Sequence, residues 1–164
     1  MKVCILTYRL HSNFGFLMQA YAMQQIIEQF GHEPYTVDMR VKPFSRREKV
    51  KHLIKSVLLY ISRKIGYPSL PWLTTQEQAY IDCNTWKFIN EHLQLTPSIN
   101  SIKDLGRIVD GKYDFYLVGS DQVWRREYFP WIQTYFFYFL SDGQKRASYA
   151  ASFGVSNPDY SSKV

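Results

Sequence analysis

The sequence lacks the features of several protein classes. Its two cysteines, Cys4 and Cys83, have neither metal-ligand spacing nor the number that a disulfide framework needs. No apolar run reaches the roughly 18 residues of a membrane span, and the strand-like start is unlike a signal peptide. The turn after the first predicted strand carries one glycine, not the GxGxxG of a dinucleotide site. We therefore expect a cytoplasmic protein with no metal and no resident cofactor, in which Cys4 is a buried reduced thiol.

The composition is that of a globular protein with one unusual segment. Hydrophobic residues make up 46% of the 164 residues and charged residues 21%, which is enough to bury one core. The net charge of +6 is local, because residues 42–64 hold eight Lys or Arg against one acid and the remainder holds 12 basic and 13 acidic residues. The basicity therefore belongs to one segment and not to the fold.

The order of predicted elements indicates an α/β protein. Strand, helix and strand follow one another within the first 40 residues, which predicts a βαβ unit and a parallel sheet. We predict a single Rossmann-like domain over residues 1–164, its parallel sheet flanked by helices, with a helical insertion at about 44–92. The predicted strands are 2–7, 34–38, 113–118 and 146–151, the predicted helices are 15–30, 46–65, 75–92 and 101–109, and 125–140 is predicted to be irregular.

Two segments combine small and polar residues where predicted elements meet. In the turn Asn13-Phe14-Gly15, Asn13 fits a helix N-cap, and the free N–H groups behind it favour an anion. A capped helix without a ligand explains the same residues equally well. The run Gly119-Ser120-Asp121-Gln122-Val123-Trp124 offers a hydroxyl, a carboxylate and an amide suited to sugar hydroxyls, with an indole face for the sugar ring. Asp121 as a helix cap and Trp124 as a core anchor form the alternative.

The third segment runs from Ser148 to Gly154. Its small residues, Ala147, Ala150 and Ala151, predict a tightly packed central strand with Ser152 and Gly154 at the tip. Because ligands gather at the carboxyl edge of parallel strands, we expect all three segments on one wall there. The predicted substrate-binding residues are Asn13, Gly15, Gln19, Gly119, Ser120, Asp121, Gln122, Trp124, Ser152 and Gly154, with Asp121 as the candidate catalytic group.

The three segments together resemble the N-terminal half of the polysaccharide pyruvyl transferase family. Val118 to Trp124 is the most specific block, followed by Gln19-Ala20-Tyr21-Ala22, and the resemblance covers nearly the whole chain. It implies one half of a GT-B-like enzyme in which two Rossmann-type domains face a cleft. It also implies transfer of pyruvyl from phosphoenolpyruvate, the donor substrate, to two hydroxyls of a sugar or polysaccharide precursor. The product is a ketal in cell-surface polysaccharide synthesis.

The sequence departs from the family pattern in three respects. Phe16-Leu17-Met18 stands where relatives carry a small residue and then Leu, and Arg125-Arg126 stands where Asn follows the Trp, which bears on the acceptor. The second domain, which the resemblance implies to hold the cationic residues for phosphoenolpyruvate and a proton-transfer histidine, has no counterpart in these 164 residues. We therefore expect the chain to be inactive by itself. His11 is either an acid or base at the edge or a solvated surface residue.

Two other functions fit the same residues. One is a non-catalytic remnant or regulatory domain that binds a sugar, a phosphate or a protein partner. The other is half of a GT-B glycosyltransferase, which the missing Gly-rich phosphate loop disfavours. The basic helix at 46–65 is either a surface for anionic lipid at the inner face of the membrane or a solvated basic face. We expect no nucleic acid partner, because the aromatics do not interleave with the basic run.

Overall fold

A computed structural model describes residues 1–10, 13–40, 54, 57–58, 61, 75–125 and 131–156. The chain divides into two compact units, one formed by Met1–Val41 with Phe88–Val164 and the other by Lys42–Lys87. The predicted helix 46–65 falls largely outside the described residues. The four described positions within it are Ile54, Val57, Leu58 and Ile61, and all four are helical.

The first unit is built on a parallel sheet. Its described strands are β1 (Lys2–Leu6), β2 (Glu33–Thr36), β3 (Phe115–Val118) and β4 (Arg146–Ser148), in the order β2-β1-β3-β4. Every neighbouring pair is parallel, so all four strands end at the same edge. With helices beside the sheet, this is the Rossmann-like α/β architecture that the element order predicted, and the prediction is confirmed.

Three α-helices have both ends within the residues that the structure describes. They are α1 (Phe14–Gln29), α2 (Thr75–His92) and α3 (Ile102–Val109). Asn13 caps α1 by accepting from the Gly15 N–H at 2.7 Å, and Gly31 ends it at φ +76°. The His32 N–H then reaches back to the carbonyl of Ile27 at 3.1 Å, as in a Schellman motif. Within the part of the chain that the structure describes, no helix is both long and apolar enough to cross a membrane.

The core lies on both faces of β1, as expected of a central parallel strand. Val3 and Ile5 pack with Met23 and Ile27 of α1 on one face. Alternate residues belong to the larger cluster on the other face, because successive side chains of a strand point in opposite directions. The members of that cluster from the named elements are Cys4, Leu6, Leu105, Val109, Tyr116 and Val118.

One buried polar side chain joins three parts of the unit. Gln24 of α1 is 1% exposed, and its amide nitrogen donates to Thr36 Oγ1 at 2.7 Å and to the Gln94 carbonyl at 2.8 Å. The Gln94 N–H returns a bond to the Gln24 side-chain oxygen at 3.0 Å. The amide nitrogen and the amide oxygen of Gln24 therefore both have partners, which offsets the cost of removing them from water. These bonds also fix the position of α1 against the rest of the unit.

Two expectations for the second half of the chain are wrong. The strand predicted at 146–151 is not central, because β4 is the edge strand of the described sheet and Arg146, Ala147 and Ser148 are all exposed. Small side chains fit an edge as well as a crowded interior, so their size could not distinguish the two. The stretch predicted to be irregular contains a short 3₁₀-helix, Ile132–Phe136, that ends at Phe137 in the left-handed region.

Candidate functional site

The carboxyl edge of the sheet is extended by the loops that follow β3 and β4. The Gly119 N–H donates to the Leu6 carbonyl at 3.0 Å, which continues the pairing of β3 with β1. Beyond the strands, the Ser152 N–H donates to the Asp121 carbonyl at 2.8 Å, and the Trp124 N–H donates to the Ser152 carbonyl at 3.2 Å. The second and third predicted segments therefore run side by side as one surface.

Helix α1 reaches this surface through Gln19. With its amide oriented by the surrounding acceptors, the nitrogen donates to Asp121 Oδ2 at 3.0 Å and to the Ser120 carbonyl at 2.5 Å. The Gln122 N–H donates to the other carboxylate oxygen, Asp121 Oδ1, at 2.6 Å. A carboxylate accepts about four hydrogen bonds, so each oxygen keeps capacity for a further donor such as a sugar hydroxyl.

The turn before α1 shares the edge. The Asn13 side-chain oxygen is used in the cap, so this residue acts first as the N-cap that the sequence predicted. A Cβ added at Gly15 would lie 3.1 Å from that oxygen, which explains why glycine suits the position. Asn13 precedes Gln19 by six residues, or about 9 Å along a helix. Both residues are exposed, so the first segment borders the wall formed by the other two.

Gln122 is held from several sides. Arg125 Nη1 donates to Gln122 Oε1 at 3.0 Å, and the Tyr8 hydroxyl donates to the Gln122 carbonyl. Gly154 adopts φ +67°, and a Cβ added there would overlap the Gln122 side chain. The backbone of Gly154 therefore approaches this side chain as closely as only glycine allows.

Trp124 is enclosed by other aromatic rings. Its indole stacks on Phe136 with a centroid distance of 5.3 Å and an interplanar angle of 6°, and Phe153 lies 5.2 Å away at a tilt. The indole N–H donates to the Tyr135 carbonyl at 3.4 Å. These contacts are those expected of the anchor alternative, and the indole remains half-buried. Asp121, for its part, is not followed by a helix in the described chain, so it does not act as a helix cap.

The family comparison covers all three segments. The model of the polysaccharide pyruvyl transferase family matches residues 13–163. The chain belongs to the polysaccharide pyruvyl transferase family. Neither a curated protein nor a solved structure matches it.

In this pyruvyl transferase family member, the wall contains a small recess. Its lining includes Thr7, Gln19, Met23, Gly119 and Ser120, and it has no room for even a water molecule. It is therefore a shallow dent in the surface and not a small-molecule pocket. A Cβ at Gly119 would lie 3.4 Å from Met23 Sδ, which is an ordinary van der Waals distance.

Burial sets the protonation of the groups beneath the wall. It raises the pKa of Tyr135, with a smaller rise from Tyr8 and a lowering by Arg9, so the Tyr135 phenol is neutral. Its hydroxyl faces the Thr7 carbonyl at 3.5 Å. Burial likewise raises the pKa of the Cys4 thiol. Among the residues that the structure describes, no three His, Cys, Asp or Glu side chains are grouped to hold a metal ion.

One residue of the wall was missed in the sequence. Tyr8 is 5% exposed, contacts Phe16 and Tyr135 with centroid distances of 4.9 and 5.6 Å, and orients the Gln122 backbone. Its position directly behind β1 was an available signal, since the residues after a parallel strand lie at the ligand edge. His11 and Arg126, considered from the sequence, lie outside the described residues.

Proposed function

We propose that this protein takes part in pyruvyl transfer from phosphoenolpyruvate to two hydroxyls of a sugar, and that its wall binds the acceptor sugar. The contact of Gln19 with Asp121 carries the proposal. It brings the helix motif and the Gly-Ser-Asp-Gln block into one polar surface in a chain that belongs to the pyruvyl transferase family. The reaction class follows from membership of the pyruvyl transferase family, and in this proposal the acceptor binds at the wall.

The reaction requires proton transfer at both substrates. Protonation of the methylene carbon of phosphoenolpyruvate creates a cationic centre at the neighbouring carbon. One sugar hydroxyl adds there and loses its proton, the C–O bond to phosphate breaks, and the second hydroxyl closes the ketal. Of the two hydroxyl protons, one balances the new methyl group and the other leaves with inorganic phosphate. A general base beside the acceptor and charge stabilisation at the donor are both needed.

The chemistry of the wall suits the acceptor better than the donor. A hydroxyl, a carboxylate and two amides come from Ser120, Asp121, Gln122 and Gln19, and such groups pair with sugar hydroxyls. Phosphoenolpyruvate carries a carboxylate and a phosphate, which call for Arg or Lys and are repelled by a carboxylate. In this proposal, Asp121 accepts the proton of an acceptor hydroxyl, while Ser120, Gln122 and Ser152 bind its neighbours.

The remaining predicted residues shape the wall in this proposal. Asn13 and Gly15 set the start of α1, Gly119 continues β3 into the loop, Gly154 allows close backbone approach to Gln122, and Trp124 fixes the loop through its aromatic contacts. We place the reaction in the cytoplasm. Cys83 is an exposed free thiol and Cys4 a buried one, a pair that fits a reducing compartment.

Ligand-observed NMR tests the assignment. The chain is mixed with methyl pyranosides that have adjacent free hydroxyls, and separately with phosphoenolpyruvate. We expect saturation transfer to a subset of the sugars and none to phosphoenolpyruvate. Asp121→Asn should weaken sugar binding about ten-fold, because a charged acceptor is lost. Asp142→Asn, at an exposed turn residue, is the matched control. Preferential binding of phosphoenolpyruvate to the wall would contradict the acceptor assignment.

Turnover is a separate measurement. We expect no phosphate release when the chain is incubated with phosphoenolpyruvate and the sugars that bind, because Arg125 in the wall is engaged by the Gln122 side chain and the Asp121 carboxylate repels the charges of the donor. Release that Asp121→Asn abolishes would mean that this chain holds the donor as well.

A further inference from the structure

The unit Lys42–Lys87 carries an apolar stripe on helical residues. Ile54, Val57, Leu58 and Ile61 are helical and are 53%, 50%, 49% and 48% exposed. Their spacing of three and four residues is that of one helical face. Four aliphatic side chains that are each half exposed on one face form a surface that water solvates poorly.

The same segment of sequence holds most of the protein's excess charge. Residues 42–64 contain eight Lys or Arg and one acid, a net charge of +7, whereas the remainder of the chain sums to −1. An aliphatic stripe within a strongly basic segment can interact with an anionic bilayer in two ways, through apolar burial and through charge. The aliphatic side chains enter the boundary between headgroups and acyl chains, and the basic side chains pair with the lipid charge.

Other partners fit this combination less well. A second copy of the chain would bring two segments of charge +7 together, and like charges repel. Nucleic acid would satisfy the charge, but it would leave the aliphatic stripe in water, since bases stack on aromatic rings and guanidinium groups. Of these three partners, the anionic bilayer is the one that both covers the stripe and neutralises the charge.

We propose that the stripe Ile54, Val57, Leu58 and Ile61 docks this protein reversibly on an anionic membrane surface. The docking is peripheral, with the helical face lying in the plane of the headgroups. It does not rest on the proposed pyruvyl transfer, because it uses neither the wall nor its substrates. A failure of either proposal leaves the other standing.

Vesicle co-sedimentation tests the docking. The chain is mixed with vesicles of phosphatidylcholine alone, and with vesicles of phosphatidylcholine and phosphatidylglycerol, at low and high salt. We expect binding to the mixed vesicles that weakens as salt rises, and little binding to the neutral ones. The double variant Val57→Ser/Leu58→Ser should bind the mixed vesicles about ten-fold more weakly, because the exposed halves of two aliphatic side chains no longer enter the bilayer.

A second double variant controls for general apolarity. Ile26→Ser/Phe30→Ser removes side chains that are 48% and 75% exposed in the other unit, and it should bind as the parent does. Far-UV circular dichroism checks that both variants are folded. If the stripe variant is unfolded, the binding of the parent chain to anionic and neutral vesicles still tests whether docking requires an anionic surface.

Three outcomes would overturn the docking. One is the absence of binding to anionic vesicles. Another is equal binding by the parent and the stripe variant. The third is a dimer in sedimentation equilibrium that the stripe variant dissolves, since a second copy would then be the partner that covers the stripe.

Discussion

Gln19 donates a hydrogen bond to Asp121 across the gap between helix α1 and the loop behind β3, over 3.0 Å. The two residues are about a hundred positions apart in the chain, yet each belongs to a motif that the sequence singled out. Their contact brings the two motifs together on one surface. It also orients the carboxylate, because a second donor, the Gln122 N–H, holds the opposite oxygen.

Removing the Gln19 amide should loosen this surface. We expect Gln19→Ala to lower the free energy of unfolding by about 1 kcal/mol, less than a typical bond to a charged group contributes, because the side chain is exposed. Gln25→Ala is the control, since it makes the same substitution in the same helix, where the amide bonds to Glu28. Urea unfolding measures both. Equal changes in the two variants would mean that the Asp121 contact contributes no more to stability than an exposed bond within the helix.

Alanine substitutions at Gly154 and Gly143 distinguish the cost of backbone strain from the cost of steric crowding. Both have positive φ, +67° and +84°, but a Cβ at Gly154 meets the Gln122 side chain and a Cβ at Gly143 meets nothing within 4 Å. Gly143→Ala should cost about 1 kcal/mol of stability through its backbone conformation. We expect Gly154→Ala to cost more and to shift the NMR signals of the Gln122 side-chain amide. Signals that move only in Gly143→Ala would contradict the close approach.

The two thiols should react at very different rates. Cys4 is 1% exposed and burial raises the pKa of its thiol, whereas Cys83 is exposed. Because the thiolate is the reactive species, we expect a disulfide reagent to modify one thiol of the native protein quickly and the other only after unfolding. Cys83→Ser should abolish the fast phase, and Cys4→Ser should leave it intact. A fast phase that survives in Cys83→Ser would show that Cys4 is accessible.

Stability should fall at alkaline pH because of Tyr113. Burial, followed by the nearby Cys4, Tyr35 and Tyr116, raises its pKa to about 12, against about 10 in an unfolded chain. The unfolded chain therefore loses this proton first, so the contribution of the neutral phenol is complete below about pH 10 and lost as pH approaches about 12.

Urea unfolding across that range measures the loss. Tyr113→Phe should make the decline shallower, with the remainder coming from Cys4, Tyr116 and Tyr135, whose pKa values burial also raises. Tyr149→Phe changes a phenol that is 60% exposed and should leave the decline as it is. Identical curves for the parent and Tyr113→Phe would refute the assignment.

The sequence predicted the architecture of the first unit because its signals are local. The apolar run behind Lys2, the Asn13 cap and the Gly31 stop each act within a few residues, and the structure places β1 and α1 within two residues of the predictions. The shared edge of the three segments followed from parallel topology alone. The contact between Gln19 and Asp121 did not, because it depends on how α1 docks on the sheet.

Other features had no local signal. The 3₁₀-helix Ile132–Phe136 sits in a run of aromatic residues without a helical or strand period, and Phe137 adopts a left-handed conformation that nothing in its side chain favours. The position of β4 at the edge depends on which strands pair with it, and the size of Ala147 does not reveal that. These are properties of tertiary packing.

The buried amide of Gln24 has a consequence for biosynthesis. During translation, the first strand, helix and second strand leave the ribosome well before residue 94, which supplies both a carbonyl and an N–H to that amide. Until then the Gln24 amide, on the face of α1 that becomes buried, lacks the partners that offset its removal from water. The Gln24 amide can therefore have all of its native partners only after the basic residues 42–64 have been made, because they precede residue 94 in the chain.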